Sequence, residues 1–262
     1  MGIFDKFKRK ASVATVVEEV ATQQVQNEIE KIDVSEIKNR LRKSATIFKT
    51  GGVRPYDNNY DSWIGNIASS LPNEKAPKDA DGKEMYPLAM FFLNAIPYVP
   101  DCLKGINRLC IYISESIHDH YNKGYKGYYS VQSFDDINGL ERSQIISEHI
   151  KSFPLVTQLI ENDYPAWDGG GIPLDIEDEI LRLEDEIGLD YYDDIVEDEY
   201  NVHKIGGYPS FIQSGIDFGG DFEFALQITS DDKAYLNIVD SGNFYFYRNV
   251  KTSEWKLHCD FY

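Results

Sequence analysis

The sequence predicts an α+β protein: a β-rich roll built from two related halves, with an N-terminal helical segment and peripheral helices. Three observations predict it. Eighteen Tyr and 14 Phe among 262 residues favour pleated, half-buried surfaces. Short apolar or aromatic runs, punctuated by Pro, Gly, Asn and Asp, fill residues 53–135 and 204–262. A hydrophobic fraction of 42% suffices for a sizeable core, yet no stretch approaches the ~18 apolar residues of a membrane span. The expected division is a tail with helices over residues 1–50 and a β-rich domain over 51–262. Its halves, about 53–135 and 200–262, are joined by a helical and acidic segment.

Taken in order, the first fifteen residues read as a basic tail in which Phe4 and Phe7 accompany Lys6, Lys8, Arg9 and Lys10. No apolar core follows them, so they do not form a secretory signal, and one turn is too short for stable membrane anchoring. From Val16 to about Lys43 the spacing is helical. Val16, Val17, Val20, Val25, Ile29 and Ile32 share one stripe. Asp33 with Glu36 marks a second helix start, carrying Val34, Ile37 and Leu41, and Thr50-Gly-Gly-Val-Arg-Pro55 closes the region. Met90–Leu93 and Arg108–Ile113 are the clearest strands. Residues 140–162 return to helical spacing through Ile145, Ile146 and Ile150 until Pro154 interrupts. Pro173 opens another helix in which Ile176, Ile180, Leu183 and Ile187 recur at four, three and four residues, with Gly188 as its stop. Near the end, Asp240-Ser-Gly-Asn243 separates Tyr235–Val239 from Phe244–Tyr247, which predicts a hairpin.

The net charge is −18, and residues 1–50 carry +3 of that balance, leaving −21 for the rest. Such a chain is poorly suited to phosphate backbones or anionic lipid, both of which need a basic face. Three cysteines, Cys102, Cys110 and Cys259, are an odd number without metal spacing and do not suggest a disulfide framework, so a reducing cytoplasm is expected. His118 and His120 flank Asp119 without further ligands nearby and read as a polar turn, and no metal or cofactor is expected. Asp79–Glu84 lacks the ligand positions of a calcium loop and reads as a surface turn. No Gly-x-Ser-x-Gly elbow or phosphate-binding glycine loop occurs, so no catalytic residues are assigned. The unusual feature is Asp175–Glu199, where thirteen of 25 residues are acidic against the single Arg182. Acids mixed with tyrosines suit a docking face for a basic partner. The candidate contact residues are Glu184, Asp185, Asp190, Tyr191, Tyr192, Asp193, Asp194, Glu197, Asp198 and Glu199.

Two parts of the chain echo one another. Leu88–Ile96 followed by Gly105–Tyr112 matches, in outline, Phe224–Ile228 followed by Asp240–Tyr247. Each is preceded by a Pro-bearing loop, Trp63–Pro72 and Gly206–Gln213, as two diverged copies of one unit would be. His203-Lys-Ile-Gly-Gly-Tyr-Pro-Ser-Phe-Ile-Gln213, with Phe224–Ile228 and Asp240–Phe246, resembles the signature of the YwqG-like family. The resemblance covers about residues 50–262 and departs in Asn66, where a second Gly is usual, and in Asn94, where Gln is usual. It implies a β-rich roll in a bacterial cytosolic protein with no family catalytic residues, and members found near secreted polymorphic toxins. The expected function is thus a noncatalytic, monomeric immunity protein that neutralises a basic toxin. The alternative is a small-ligand or regulatory module with a cleft between the two halves. An enzyme ranks third and would need His203, or Asp193 with Asp194, in a cleft. The glycines, Pro209, Gln213 and Gln227 themselves read as scaffold: turns, a bend, and amides that satisfy loop backbone groups.

Overall fold

The computed structural model describes residues 34–53 and 60–262. The expected basic tail, the helix over 16–32 and the Arg54–Pro55 step lie outside these residues. The chain divides into two compact units.

In the first unit the described residues are 34–41 and Leu174–Ile195. Residues 34–41 form helix α1, with Ile37 and Leu41, one turn apart, both buried. Helix α2, Leu174–Ile187, begins right after Pro173 and buries Ile176, Ile180 and Leu183. Ile187, the last member of the expected stripe, is half exposed. Gly188 adopts φ +74° and ends the helix. There the Gly188 N–H donates to Glu184 O (3.0 Å), while Leu189 N–H reaches Leu183 O (3.4 Å), closing carbonyls that α2 leaves open. Arg40 of α1 pairs with Asp175 of α2 at 2.6 Å.

The second unit, Arg42–Pro173 with Val196–Tyr262, is built on strands. These are β1 Lys43–Thr50, β2 Trp63–Ile64, β3 Asn66–Ser70, β4 Tyr86–Phe92, β5 Arg108–Ile113, β6 Tyr129–Phe134, β7 Glu141–Ile146, β8 Phe153–Asp163, β9 His203–Gly206, β10 Phe222–Thr229, β11 Asn243–Asn249 and β12 Trp255–Asp260. Ten of them make one sheet in the order β12-β11-β10-β9-β1-β8-β2-β4-β5-β6, and β3 pairs separately with β7. Every pair is antiparallel.

Strand order is the same read inward from either edge: three meander strands, one short strand, one long strand. The registers agree as well. Ile64 faces Ala89, which faces Ile111; Ile205 faces Leu226, which faces Phe246. The register slips between Pro87 and Ala89 in β4 and between Phe224 and Leu226 in β10, at matching positions. One sheet face carries a continuous core containing Ala89, Phe91, Leu109 and Ile111 from one arm and Leu226, Ile228, Phe244 and Phe246 from the other. Behind the first arm, Met90, Phe92, Cys110 and Tyr112 form a second apolar cluster with Ile67 of β3. Burial on both faces explains why β5 reads as an unbroken large-residue run.

Three expectations change. Lys43–Thr50 is a central strand, paired with both β8 and β9, so the boundary expected at residue 50 falls at 41/42. Residues 140–162 hold no helix: β7 and most of β8 occupy them, because Ile145 and Ile146 project to opposite faces, one half-buried and the other exposed. Tyr235–Val239 is not a strand. Tyr235 (φ +53°), Val239 (+56°) and Ser241 (+50°) sit in left-handed backbone, and β11 pairs instead with β10 across a 13-residue connection, 230–242.

Candidate functional site

The loop after β9 is shaped by buried polar groups. Gly206 and Gly207 take φ +79° and +70°; a Cβ on Gly207 would lie 2.0 Å from Asp163 Oδ2. That close approach lets Asp163, the last residue of β8, accept from the Tyr208 N–H at 2.7 Å and from Lys204 Nζ at 2.9 Å. Gln227 accepts from Ser210 N–H (2.8 Å) and donates to Val202 O (2.9 Å). Asp260 Oδ2 accepts from the N–H groups of Ile212 (2.9 Å) and Gln213 (3.1 Å), while Tyr245 OH donates to its Oδ1. The Gln213 amide donates to Phe261 O at 2.8 Å. The scaffold role expected for these residues is what the hydrogen bonds show.

Beside this loop lies a cavity of about 510 Å³. Lys43, Tyr208, Phe224 and Tyr247 line it with the loop residues Asp168–Gly171 and Gly215–Asp217. The strands that contribute are β1, β10 and β11; nothing comes from β2, β4, β5 or β6, so the cavity belongs to one arm and does not separate two halves. The loops are bare by design of their sequence. A Cβ on Gly215 would lie 2.0 Å from Gly169 O, and one on Gly171 would meet the Tyr208 ring at 3.0 Å. Lys43 reaches solvent, and its ammonium lies 4.0 Å from the Tyr208 ring centroid. Partial loss of hydration lowers its pKa, with Glu223 and Asp163 pulling the other way. Burial, reinforced by Asp163, pushes the Tyr208 phenol up to about 12, so it stays a hydrogen-bond donor. Phe224 and Tyr247 meet edge-on at 5.7 Å.

The acidic segment divides between the units. In the first, Glu184, Asp185, Asp190, Tyr192, Asp193 and Asp194 are exposed, whereas the Tyr191 ring is buried. Asp190 Oδ1 accepts from the N–H groups of Tyr192 (2.9 Å) and Asp193 (3.0 Å), and Asp194 accepts from Asp190 N–H (2.8 Å), so these two shape a turn. Arg182 is spent on Glu179 (2.6 Å) and Glu186 (2.5 Å). In the second unit Glu197, Asp198 and Glu199 are exposed; Asn162 donates to Glu197 and Tyr200 OH to Asp198.

His203, His118, His120 and the three cysteines hold structural positions. His203 Nδ1 accepts the Thr229 N–H at 3.0 Å, which leaves Nε2 to donate to Asp231 Oδ2 at 3.2 Å. Its carboxylate partner thus comes from the connection after β10, not from the acidic segment. Burial opposes ionisation of Asp231, but hydrogen bonds from His203, Thr50 and Ala234 N–H outweigh it and hold its carboxyl far below the usual range. His118 and His120 lie in the turn Ile117–Lys123, closed by Gly124 at φ +66°. Among the described residues no His, Cys, Asp or Glu cluster is arranged to hold a metal. Cys102, Cys110 and Cys259 are free and buried, and burial pushes the Cys102 and Cys259 thiols up to about 12. Asp79 is a buried anchor and not a surface residue: it accepts from Ser114 Oγ and from the Asp81 and Lys83 N–H groups.

Lys43, Asp168 and Asp217 were not among the residues singled out from sequence. Lys43 reads as the end of a helix, and the Gly169–Gly171 run before Pro173 is the one local signal of the cavity.

Residues 64–254 match the model of a domain of unknown function, DUF1963, which is the YwqG-like family of the loop signature. The match spans well over half of the chain, and the protein belongs to that family. No curated protein matches it. No helix among the described residues is long and apolar enough to cross a membrane.

Proposed function

We propose that the protein is a noncatalytic cytoplasmic binding protein, an immunity protein that neutralises a co-encoded basic toxin domain through its acidic segment. The observation that carries this reading is the state of the carboxylates after Arg182. Glu184, Asp185 and Asp193 are exposed and have no cation within ion-pair distance among the described residues, and Asp193 follows the exposed Tyr192 in the chain. Arg182 is already satisfied within α2 and neutralises none of them. Unpaired charge beside an amphipathic ring speeds encounter with a cationic partner and gives it an anchor. The strand-built unit is, on this reading, two diverged copies of a four-strand unit forming a roll, which the shared register and matched bulges support.

The test is binding to the products of neighbouring genes. A basic partner should bind tightly and lose at least about tenfold in association rate as added salt screens the surface. Glu184→Lys with Asp185→Lys and Asp193→Lys should weaken the complex about a hundredfold while thermal stability is unchanged. Binding that ignores the triple reversal contradicts the assignment.

A further inference from the structure

We propose that the cavity beside the Gly206–Gly207 turn binds a small zwitterion with an apolar, aromatic body, of the size of an amino acid or dipeptide. The volume of about 510 Å³ lies inside the ~300–1,000 Å³ range of small-molecule sites. It stays open because the backbone around it supplies little to fill it: Gly169, Gly170, Gly171, Gly207 and Gly215 carry no side chain into the space.

Three chemistries line it. Lys43 offers an ammonium that touches the Tyr208 ring and has no carboxylate within ion-pair distance among the described residues. Asp168 and Asp217 offer carboxylates; Asp217 Oδ1 accepts from Gly219 N–H at 2.7 Å, leaving its second oxygen for a ligand. Tyr208, Phe224 and Tyr247 offer ring surface, the last two already meeting edge-on. A purely cationic ligand would satisfy the acids but be repelled by Lys43. A purely anionic one would pair with Lys43 but meet two like charges, in a protein of net charge −18. A molecule carrying both a carboxylate and an ammonium on one apolar body meets each lining group with its complement. The site is independent of the acidic segment: its residues and those of the docking surface do not overlap.

The experiment is a solution NMR titration of the full chain with three probes of one skeleton: L-phenylalanine, 3-phenylpropionate lacking the ammonium, and phenethylamine lacking the carboxylate. L-phenylalanine should shift the amide signals of 168–171, 207–209 and 215–217, with each single-charge probe at least about fivefold weaker. Lys43→Met should cost about tenfold for L-phenylalanine and bring it level with phenethylamine, whereas Lys49→Met, on the same strand but outside the cavity, should change nothing. Asp168→Asn with Asp217→Asn should bring L-phenylalanine level with 3-phenylpropionate. If Lys43→Met does not fold, the ranking of the three probes on the unaltered protein decides. Equal affinity for phenethylamine and L-phenylalanine, shifts centred elsewhere, or no shift by about 10 mM of any probe would overturn the proposal.

Discussion

The two arms of the large sheet share a register but differ in what covers their second face. In the β2-β4-β5-β6 arm, Trp63, Met90, Phe92, Cys110 and Tyr112 turn an apolar surface toward β3. At the matching positions of the β9-β10-β11-β12 arm stand Lys204, Gln227, Thr229, Tyr245 and Tyr247. One face is closed by hydrophobic packing, the other by polar anchors that hold a loop and leave a cavity. The turn decides between them. Gly65 (φ +70°) is followed by Asn66, which continues into β3 and pairs with Ile146; Gly206 is followed by Gly207, whose positive φ carries the chain over Asp163 instead. At matching positions of the two arms a backbone N–H finds a side-chain acceptor. Phe92 N–H donates to Ser62 Oγ at 3.1 Å, and Thr229 N–H donates to His203 Nδ1 at 3.0 Å. The lesson is that one strand plan tolerates either an oily or a polar back, and in the polar one Lys204, Gln227 and His203 each meet a hydrogen-bond partner.

Removing one partner from the polar back should therefore cost more than the matching change in the apolar one. Lys204→Met leaves Asp163 buried without its cation and should cost about 3–5 kcal/mol, against about 1–2 kcal/mol for Trp63→Met, both read from urea midpoints. Gly207→Ala puts a Cβ into Asp163 and a side chain into left-handed backbone, an expected loss of about 3 kcal/mol; Asn66→Gly should lose no more than about 1 kcal/mol. His203→Ala strips the Thr229 N–H of its acceptor and Asp231 of its donor, costing about 2–3 kcal/mol, while Ser62→Ala strips only the Phe92 N–H and should cost about 1–2 kcal/mol. Equal costs within any pair would break the comparison.

The smallest expected effect is in acid. Asp231 has its pKa lowered in the folded state, so its contribution to stability is complete above the unfolded carboxylate value of 3.8 and is lost as pH falls through the folded value. Asp231→Asn should flatten the stability profile below about pH 4, checked by thermal melts at successive pH values. An unchanged acid limb would show that Asp231 is not specially stabilised as an anion.

Part of the strand plan was legible in the residues. Arg108–Ile113 reads as a strand because large apolar residues on both faces leave no other place for them, and Pro173 with Gly188 bounds α2 from both ends. The central strand β1 was not legible. Lys43–Thr50 carries its strand character in Thr46, Ile47 and Phe48, but it follows directly on a helical repeat whose last buried residue is Leu41. The β7–β8 region misleads because adjacent isoleucines satisfy a helical spacing as readily as alternation. Asn94 reads from the sequence as the counterpart of Gln227, yet the register assigns that place to Met90, and Asn94 lies in the turn Leu93–Ala95. The cavity was hidden for a simpler reason: its charged lining comes from three separate segments, and glycines, which leave the space, carry no side-chain signal of a ligand.

Native-state hydrogen exchange at the Phe92 and Thr229 amides tests the shared register most directly. Both should exchange only through global unfolding in the unaltered protein. Ser62→Ala should speed Phe92 alone, and His203→Ala should speed Thr229 alone. Rapid exchange at either amide beforehand, or acceleration at the wrong arm, would contradict a common plan for the two arms.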